Sequence, residues 1–359
     1  MDVETKLELV KGFSAEIITE PELRSIFETN DHPAAYDGFE PSGIAPIHFG
    51  LLRARNLKKM IEAGIHFKLY LADYFAFLND KLGGDLDNIR HAGEYFVEVW
   101  KACGVDTGKV EIVWAKDLMD GIDYWDRFMR VGKAITLERI KRAVTIMGRK
   151  EGELISAGQL FYPAMQVTDI FQLPVDICQL GMDQRRANVL AREVSEKYKW
   201  PKPAAVHHPL VLGLQGMPPG KSSNPDGIIE YKMSKSNPKS AIYMHDSYEE
   251  IKTKVGSAYC PERVVEGNPL FNYLELILLK DKKENIVIDR PQKFGGRLEA
   301  ADYNELVSVY KAGKLHPSDL KSFVADLLEE EIRPAREYFE KNKRAKELYE
   351  VVKKIKITK

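Results

Sequence analysis

Cysteine is scarce. The 359 residues hold three, Cys103, Cys178 and Cys260, far apart and odd in number. That excludes a disulfide framework and a Cys-x-x-Cys metal site, and it fits a reducing compartment. Net charge is almost absent, with 53 basic residues against 54 acidic ones. No global basic field announces nucleic acid, so any RNA contact needs a local patch. Long apolar runs are missing too. The most apolar stretch, 67–78, is interrupted by Lys68 and Asp73, which leaves nothing to span a membrane. The opening MDVETKLELVKGF lacks the basic-then-apolar layout of a secretory leader. A soluble, cytoplasmic chain is expected. At 44% hydrophobic, it has material for a full core, and its length suits two domains.

What is present begins with alternation. Apolar runs at Ala34–Phe39, 67–72, Val110–Trp114 and 175–180 predict strands. Between them, 51–63, 89–102 and 183–198 carry apolar residues at helical spacing, and three more helical stretches fill the chain up to Leu173. This alternation predicts an α/β fold built on a doubly wound parallel sheet, with its ligand at the carboxyl ends of the strands. A loop rich in Gly and Pro occupies 213–226. After Tyr248 the chain turns to helical segments dense in Lys and Glu, with Leu320, Phe323, Val324, Leu327 and Leu328 in helical register. The expected organisation is a first domain over 1–245 and a mostly α-helical second domain over 246–359.

Several constellations could carry chemistry. Gly220-Lys221-Ser222 is not a phosphate loop, because Gly216 stands one residue too close and Pro218 and Pro219 lack N–H donors. Lys232-Met233-Ser234-Lys235-Ser236 is a better candidate, since two ammonium groups on one loop suit a polyphosphate as adjustable point charges. Pro46-Ile47-His48-Phe49-Gly50 lies between a predicted strand and a predicted helix. A His and a close-packing Gly at a helix N-terminus can hold phosphate there. Five of the seven glutamines fall between Gln159 and Gln184. Tyr162, Gln166 and Asp169 follow i, i+4, i+7 spacing and share one stripe of an otherwise apolar helix. A buried polar stripe needs partners, and a ligand can supply them. Gln184 comes just after the predicted strand 175–180, where such sheets open their pockets. His207-His208 has no companion ligands and reads as structural.

The elements around His48 and at 232–236 resemble the paired signatures of class I aminoacyl-tRNA synthetases, with Leu51 standing where that family carries a second His. Three segments resemble the tyrosine-activating members of archaeal and eukaryotic type: Tyr36-Asp37-Gly38-Phe39-Glu40-Pro41-Ser42-Gly43, Tyr162-x-x-x-Gln166-x-x-Asp169, and Gly181-Met182-Asp183-Gln184-Arg185. The similarity runs through Leu71-Ala72-Asp73 to Arg290-Pro291-x-Lys293-Phe294-Gly295-Gly296 and Leu315-His316-Pro317-x-Asp319-Leu320-Lys321. It covers most of the chain, and 216–231 reads as an insertion.

The resemblance implies a Rossmann-like catalytic domain, a helical connective segment inserted at about 115–160, and a helical anticodon-binding domain. It implies that L-tyrosine is activated by ATP, which carries Mg²⁺ as part of the substrate, and passed to tRNA(Tyr). No tightly bound metal or organic cofactor is expected, and the resemblance suggests a homodimer. By the same carry-over, Tyr36 and Asp169 meet the substrate phenol, while Tyr162, Gln166 and Gln184 hold its ammonium. ATP falls to Gly38, Pro46, His48, Gly50, Lys232, Met233, Ser234, Lys235 and Ser236, with His48, Lys232 and Lys235 as the catalytic charges. Arg185 and Arg142 face the tRNA acceptor end, and Phe294, His316 and Asp319 the anticodon. Two other readings stand beside this one. A tryptophan-activating relative would use Asp169 for an indole N–H, and a catalytically silent relative would only bind RNA.

Overall fold

The structure, a computed structural model, describes residues 1–149, 151–153, 156–218, 220, 225–233, 240–282 and 284–356. Six strands form one sheet: β1 (Glu16–Ile18), β2 (Ala34–Phe39), β3 (His66–Leu71), β4 (Val110–Trp114), β5 (Ile177–Gly181) and β6 (Ala204–His208), in the order β1-β6-β5-β2-β3-β4. All pairings are parallel except that of β1 with β6. The winding direction reverses between β2 and β5, where Tyr36 stands opposite Cys178. A sheet of this Rossmann-like kind opens its ligand crevice at such a reversal.

Two strands fall where the apolar runs predict them, β2 and β4. The run at 175–180 pairs later, as Ile177–Gly181, because Asp176 is used at the strand's mouth. Its N–H donates to the Ala34 carbonyl at 2.8 Å, and its carboxylate accepts the Ala34 N–H at 2.8 Å. The helix predicted over 51–63 starts earlier, with a wide turn His48–Leu52 in which the Arg53 N–H reaches back to the His48 carbonyl. Turns of this width recur at functional sites. The mostly helical second half also carries an antiparallel hairpin, β7 (Ile286–Ile288) with β8 (Leu298–Ala300).

By compactness the chain divides into two units. The first comprises Met1–Gly43, Arg55–Pro209 and Leu348–Lys359, and the second Ile44–Ala54 and Leu210–Glu347. Composition changes near Asp246, yet compactness does not break there. Asp246 is buried and is a junction of the second unit: its carboxylate accepts the Tyr243 N–H at 2.9 Å and Lys254 Nζ at 2.6 Å, and its carbonyl accepts Arg336 at 2.8 Å. The core of the first unit gathers Tyr36, Tyr70, Phe75, Tyr124, Tyr162 and Met165 into one buried cluster. In the second unit, 45–47 lie antiparallel to 242–244, with Ile47 N–H donating to the Ile242 carbonyl at 3.0 Å. A Cβ on Gly50 would come within 2.4 Å of Met244 Sδ. Any side chain at position 50 would force the buried Met244 side chain to move.

Candidate active site

Asp169 sits on the helix Tyr162–Gln172 and is fully buried. Its two carboxylate oxygens each accept a phenol hydroxyl, Tyr70 from β3 at 2.7 Å and Tyr124 from the helix Ile122–Ala134 at 2.8 Å. Burial pushes this carboxyl up to about 7, and the two phenol hydrogen bonds oppose the rise. Its folded value thus lies above that of an unfolded aspartate, so the protonated form is favoured in the folded chain. On its own account the group lowers stability as pH climbs from about 4 toward 7, with no further change above.

Tyr36, on β2, is 2% exposed, and its ring meets Tyr70 edge to face at 6.5 Å. Its hydroxyl is buried and hydrogen-bonds to nothing among the described residues. The Gln166 amide acts on that hydroxyl electrostatically without a hydrogen bond of good geometry. Burial raises the Tyr36 pKa well above the ordinary phenol value, so the group stays a neutral donor and acceptor. Tyr36 and Asp169 therefore lie near each other in the buried interior but are not joined by a hydrogen bond. The carboxylate has lone pairs left after Tyr70 and Tyr124, and the Tyr36 hydroxyl can still donate and accept.

The other polar groups of the stripe gather acceptors. Gln166 donates to Gln184 Oε1 at 3.2 Å, and Gln184 donates to the Ile146 carbonyl at 2.9 Å. The Tyr162 hydroxyl donates to Glu40 at 2.5 Å, leaving its own oxygen as an acceptor. Both Glu40 oxygens also accept from Asn79 Nδ2, at 3.1 and 3.2 Å, the same nitrogen donates to the Met147 carbonyl at 2.9 Å, and Arg149 holds Asn79 Oδ1 at 2.6 Å. Sequence reasoning quoted Glu40 without placing it in the site, and it missed Tyr70 and Tyr124 altogether. Tyr70 lies in an apolar strand and reads as core, and no spacing links Tyr124 to Asp169. Gly38, on β2, has room for a Cβ at ordinary contact, with Tyr70 Cδ1 at 3.5 Å and Tyr36 Cε2 at 3.6 Å.

In the second unit, Pro46 accepts the N–H groups of Phe49 and Gly50 at 3.0 and 3.1 Å and so opens the turn that begins at His48. Lys232 bridges antiparallel to Leu212, and Met233 is 3% exposed, its N–H donating to the Val211 carbonyl at 2.7 Å. Leu212 in turn gives its N–H to Asn272 at 2.9 Å and accepts the Tyr273 hydroxyl at 2.8 Å. The chain at Lys232 and Met233 is thus held against 211–212, which are themselves tied to Asn272 and Tyr273. Ser234, Lys235 and Ser236 lie outside the described residues.

The RNA candidates fall in two places. In the first unit, Arg185 Nε donates to Glu16 at 2.8 and 3.0 Å. Arg142 is exposed at the end of the helix Leu137–Ala143, and Arg186 donates to its carbonyl at 2.5 Å. Arg139, on the same helix, is taken by an ion pair with Glu193. In the second unit, Arg290 donates to the Gly296 carbonyl at 2.9 Å and the Lys314 carbonyl at 2.8 Å. This draws the segment of Phe294 beside that of His316. Gly295 and Gly296 permit the fold-back with φ of +96° and +66°. Phe294 ends a short turn Gln292–Phe294, and its side chain lies outside the described residues. His316 caps the helix Pro317–Lys341, its Nδ1 accepting the Ser318 N–H at 3.2 Å. Asp319 occupies the first turn, where the helix dipole favours it. Its Oδ2 is buried without a hydrogen bond among the described residues.

Residues 28–332 match the family model of tRNA synthetases class I (W and Y). The tyrosine–tRNA ligase of Saccharolobus solfataricus is 44% identical over 99% of this chain and 98% of its own. Cytoplasmic tyrosine–tRNA ligase 2 of Arabidopsis thaliana is 42% identical over 99% of this chain, which spans only 46% of that longer protein. The crystal structure of tyrosyl-tRNA synthetase from Pyrococcus horikoshii, complexed with L-tyrosine, superimposes with a TM-score of 0.90 at 39% identity, covering 98% of this chain and all of that one. The chain belongs to the class I tRNA synthetases of the tryptophan and tyrosine group.

Proposed function

We propose that this chain is a tyrosine–tRNA ligase: it activates L-tyrosine with ATP and transfers the tyrosyl group to the 3′-terminal adenosine of tRNA(Tyr). The observation that carries the amino-acid assignment is the pairing of a buried Tyr36 hydroxyl, which makes no well-formed hydrogen bond among the described residues, with a buried Asp169 carboxylate that has lone pairs to spare. A phenol OH donates to Asp169 and accepts from Tyr36, which satisfies both. An indole N–H can only donate, so tryptophan would leave Tyr36 unpaired at a cost of about 1–3 kcal/mol. A silent RNA-binding relative would have no use for this pair. The Gln166, Gln184 and Tyr162 oxygens, with the Glu40 carboxylate behind Tyr162, suit the substrate ammonium.

In the first step the tyrosine carboxylate oxygen attacks the α-phosphorus of ATP, and the bond to the β-phosphate breaks to release pyrophosphate. His48, Lys232 and Lys235 stabilise the charge that grows on the phosphates. Mg²⁺ arrives with ATP as part of the substrate. Gly38, Pro46, Gly50, Met233, Ser234 and Ser236 complete the nucleotide site, glycine at 38 allowing close approach. In the second step a ribose hydroxyl of the terminal adenosine attacks the mixed anhydride carbonyl, and AMP leaves. Arg185 and Arg142 face the acceptor end of the tRNA. Functionally, 1–245 act as the catalytic domain, with 115–160 as its connective segment, and 246–359 as the anticodon-binding domain.

A homodimer and a cytoplasmic setting complete the reading. The helix Ile122–Ala134 turns Ile122, Trp125 and Met129 outward, 81%, 45% and 68% exposed, a face that a second copy would cover. No helix among the described residues is long and apolar enough to cross a membrane. The direct test incubates the protein with ATP, tyrosine and tRNA. Tyrosyl-tRNA and AMP are expected in equal amounts, and their absence would overturn the assignment.

Two expected outcomes follow from individual sites. A bound phenol favours the ionised form of Asp169, so tyrosine affinity should rise with pH to about 7 and level off above. Tyr36, Tyr70, Tyr124 and Tyr162 are the titratable groups around it and stay neutral across that range. Calorimetric titration with tyrosine from pH 5.5 to 8.5 would check this, with Asp169→Asn expected to give a flat profile. At the anticodon end, Phe294 offers a stacking face and His316 and Asp319 offer base-edge hydrogen bonds. Asp319→Ala should leave pyrophosphate exchange intact and slow tRNA charging, while Phe294→Ala should cost about 1–3 kcal/mol. If both variants still discriminate a tRNA altered at its middle anticodon base as strongly as wild type, the residues only build the helix start.

A further inference from the structure

Asn188, His207 and Glu16 form a chain of hydrogen bonds that ends on Arg185, and tyrosine activation makes no use of it. The sheet explains how it assembles. Glu16, on the edge strand β1, is the antiparallel partner of His207 on β6, and the Ala15 N–H donates to the His207 carbonyl at 2.7 Å. Asn188 Nδ2 donates to His207 Nε2 at 2.8 Å, which leaves the ring proton on Nδ1, 3.0 Å from Glu16 Oε2. His207 is fully buried, and burial lowers its pKa, so the ring stays neutral and leaves the Glu16 charge unmatched. Arg185 matches it, donating from Nε to both carboxylate oxygens. Among the described residues, Nε is the one guanidinium nitrogen of Arg185 that hydrogen-bonds within the chain. Its two terminal amino groups remain as a planar fork on a partly exposed side chain.

We propose that Glu16, fixed by His207, is a positioning residue that locks the plane of Arg185 so that its terminal fork meets the first base pair of the tRNA acceptor stem. The proposal rests on the assignment of Arg185 to the acceptor end of the tRNA, made above, and narrows it to the first base pair. An unrestrained arginine loses rotamer freedom when it binds. One already held at Nε has lost it in folding, so the direction of its fork is set before RNA arrives. Two parallel N–H donors in a fixed plane match the adjacent acceptors of a base edge, and a misdirected fork reads no edge. On this account the short strand β1 serves recognition as well as covering the edge of the sheet.

The test takes the ratio of kcat/KM for charging native tRNA to that for the same tRNA with its first acceptor-stem pair inverted. Glu16→Gln keeps the side-chain shape and removes the charge, and it should lower the ratio about tenfold. Tyrosine-dependent pyrophosphate exchange needs no tRNA and should stay within about twofold of wild type, which also reports correct folding. Arg185→Ala sets the floor, and adding Glu16→Gln to it should lower the ratio no further. If Glu16→Gln keeps the wild-type ratio while Arg185→Ala loses it, the positioning role is overturned. A parallel fall in exchange would mark Glu16 as a general support of the sheet and overturn it too. If Arg185→Ala itself keeps the ratio, the assignment of Arg185 fails, and the positioning role falls with it.

Discussion

Asp169→Ala should abolish use of tyrosine in pyrophosphate exchange. The substitution leaves the hydroxyls of Tyr70 and Tyr124 buried without their acceptor and takes away the partner of the substrate phenol. Each buried group so stranded costs about 1–3 kcal/mol. Part of that cost falls on stability, because Tyr70 and Tyr124 are orphaned whether or not tyrosine is bound. Asp169→Asn separates the two effects. Its amide oxygen can still accept one phenol, so the fold should survive, while its NH₂ group faces the donor that the other oxygen formerly accepted. Tyrosine kcat/KM should therefore fall steeply in Asp169→Asn with only a modest drop in melting temperature. A variant that melts normally and still activates tyrosine at the wild-type rate would remove Asp169 from the site.

The second large effect is expected at the phosphate loop. Lys235→Ala should lower the rate of adenylate formation about 100- to 1,000-fold, the usual cost of removing one preorganised charge from a transition state. Tyrosine binding should hardly change, because the charge acts on phosphates that tyrosine does not touch. Lys232→Ala should behave similarly. Its backbone is held against Leu212 and its neighbour Met233 is buried, so the loop base should persist without the ammonium. The double variant should lose less than the product of the two single losses, since both lysines serve one triphosphate. Single-turnover kinetics with saturating tyrosine measures the step directly. A loss seen mainly in tyrosine affinity would mean that the loop does other work.

How far the sequence already carried this picture differs from residue to residue. Strands β2 and β4 were legible because each is a short apolar run closed by turn residues, and such runs have few alternatives. Strand β6 was not legible. Its last two residues are His207 and His208, and they tolerate burial only because Asn188, Glu16 and Gln179 arrive from elsewhere in the chain to satisfy their rings. The stripe of Tyr162, Gln166 and Asp169 could be read because helical periodicity is local. Its true partners could not. Tyr70 and Tyr124 come from 99 and 45 residues away, and a tyrosine in an apolar run carries no sign that its hydroxyl has an appointed acceptor. The reading of His207-His208 as structural did not reach the hydrogen bonds that tie His207 through Glu16 to Arg185, for the same reason. Composition also marked a change near Asp246, where the side chain ties neighbouring segments into one unit instead of separating them.

The central claim is that the buried Tyr36 hydroxyl and Asp169 carboxylate select a phenol. Pyrophosphate exchange into ATP, run in parallel with tyrosine, phenylalanine and tryptophan, tests it most directly. Phenylalanine offers no hydroxyl to Tyr36 and no third donor to Asp169, which at about 1–3 kcal/mol for each missing hydrogen bond comes to about 2–6 kcal/mol, or a kcat/KM lower by roughly 30- to 20,000-fold. Tryptophan should also be activated far more weakly than tyrosine. Exchange with phenylalanine or tryptophan at a rate equal to that with tyrosine would contradict the account.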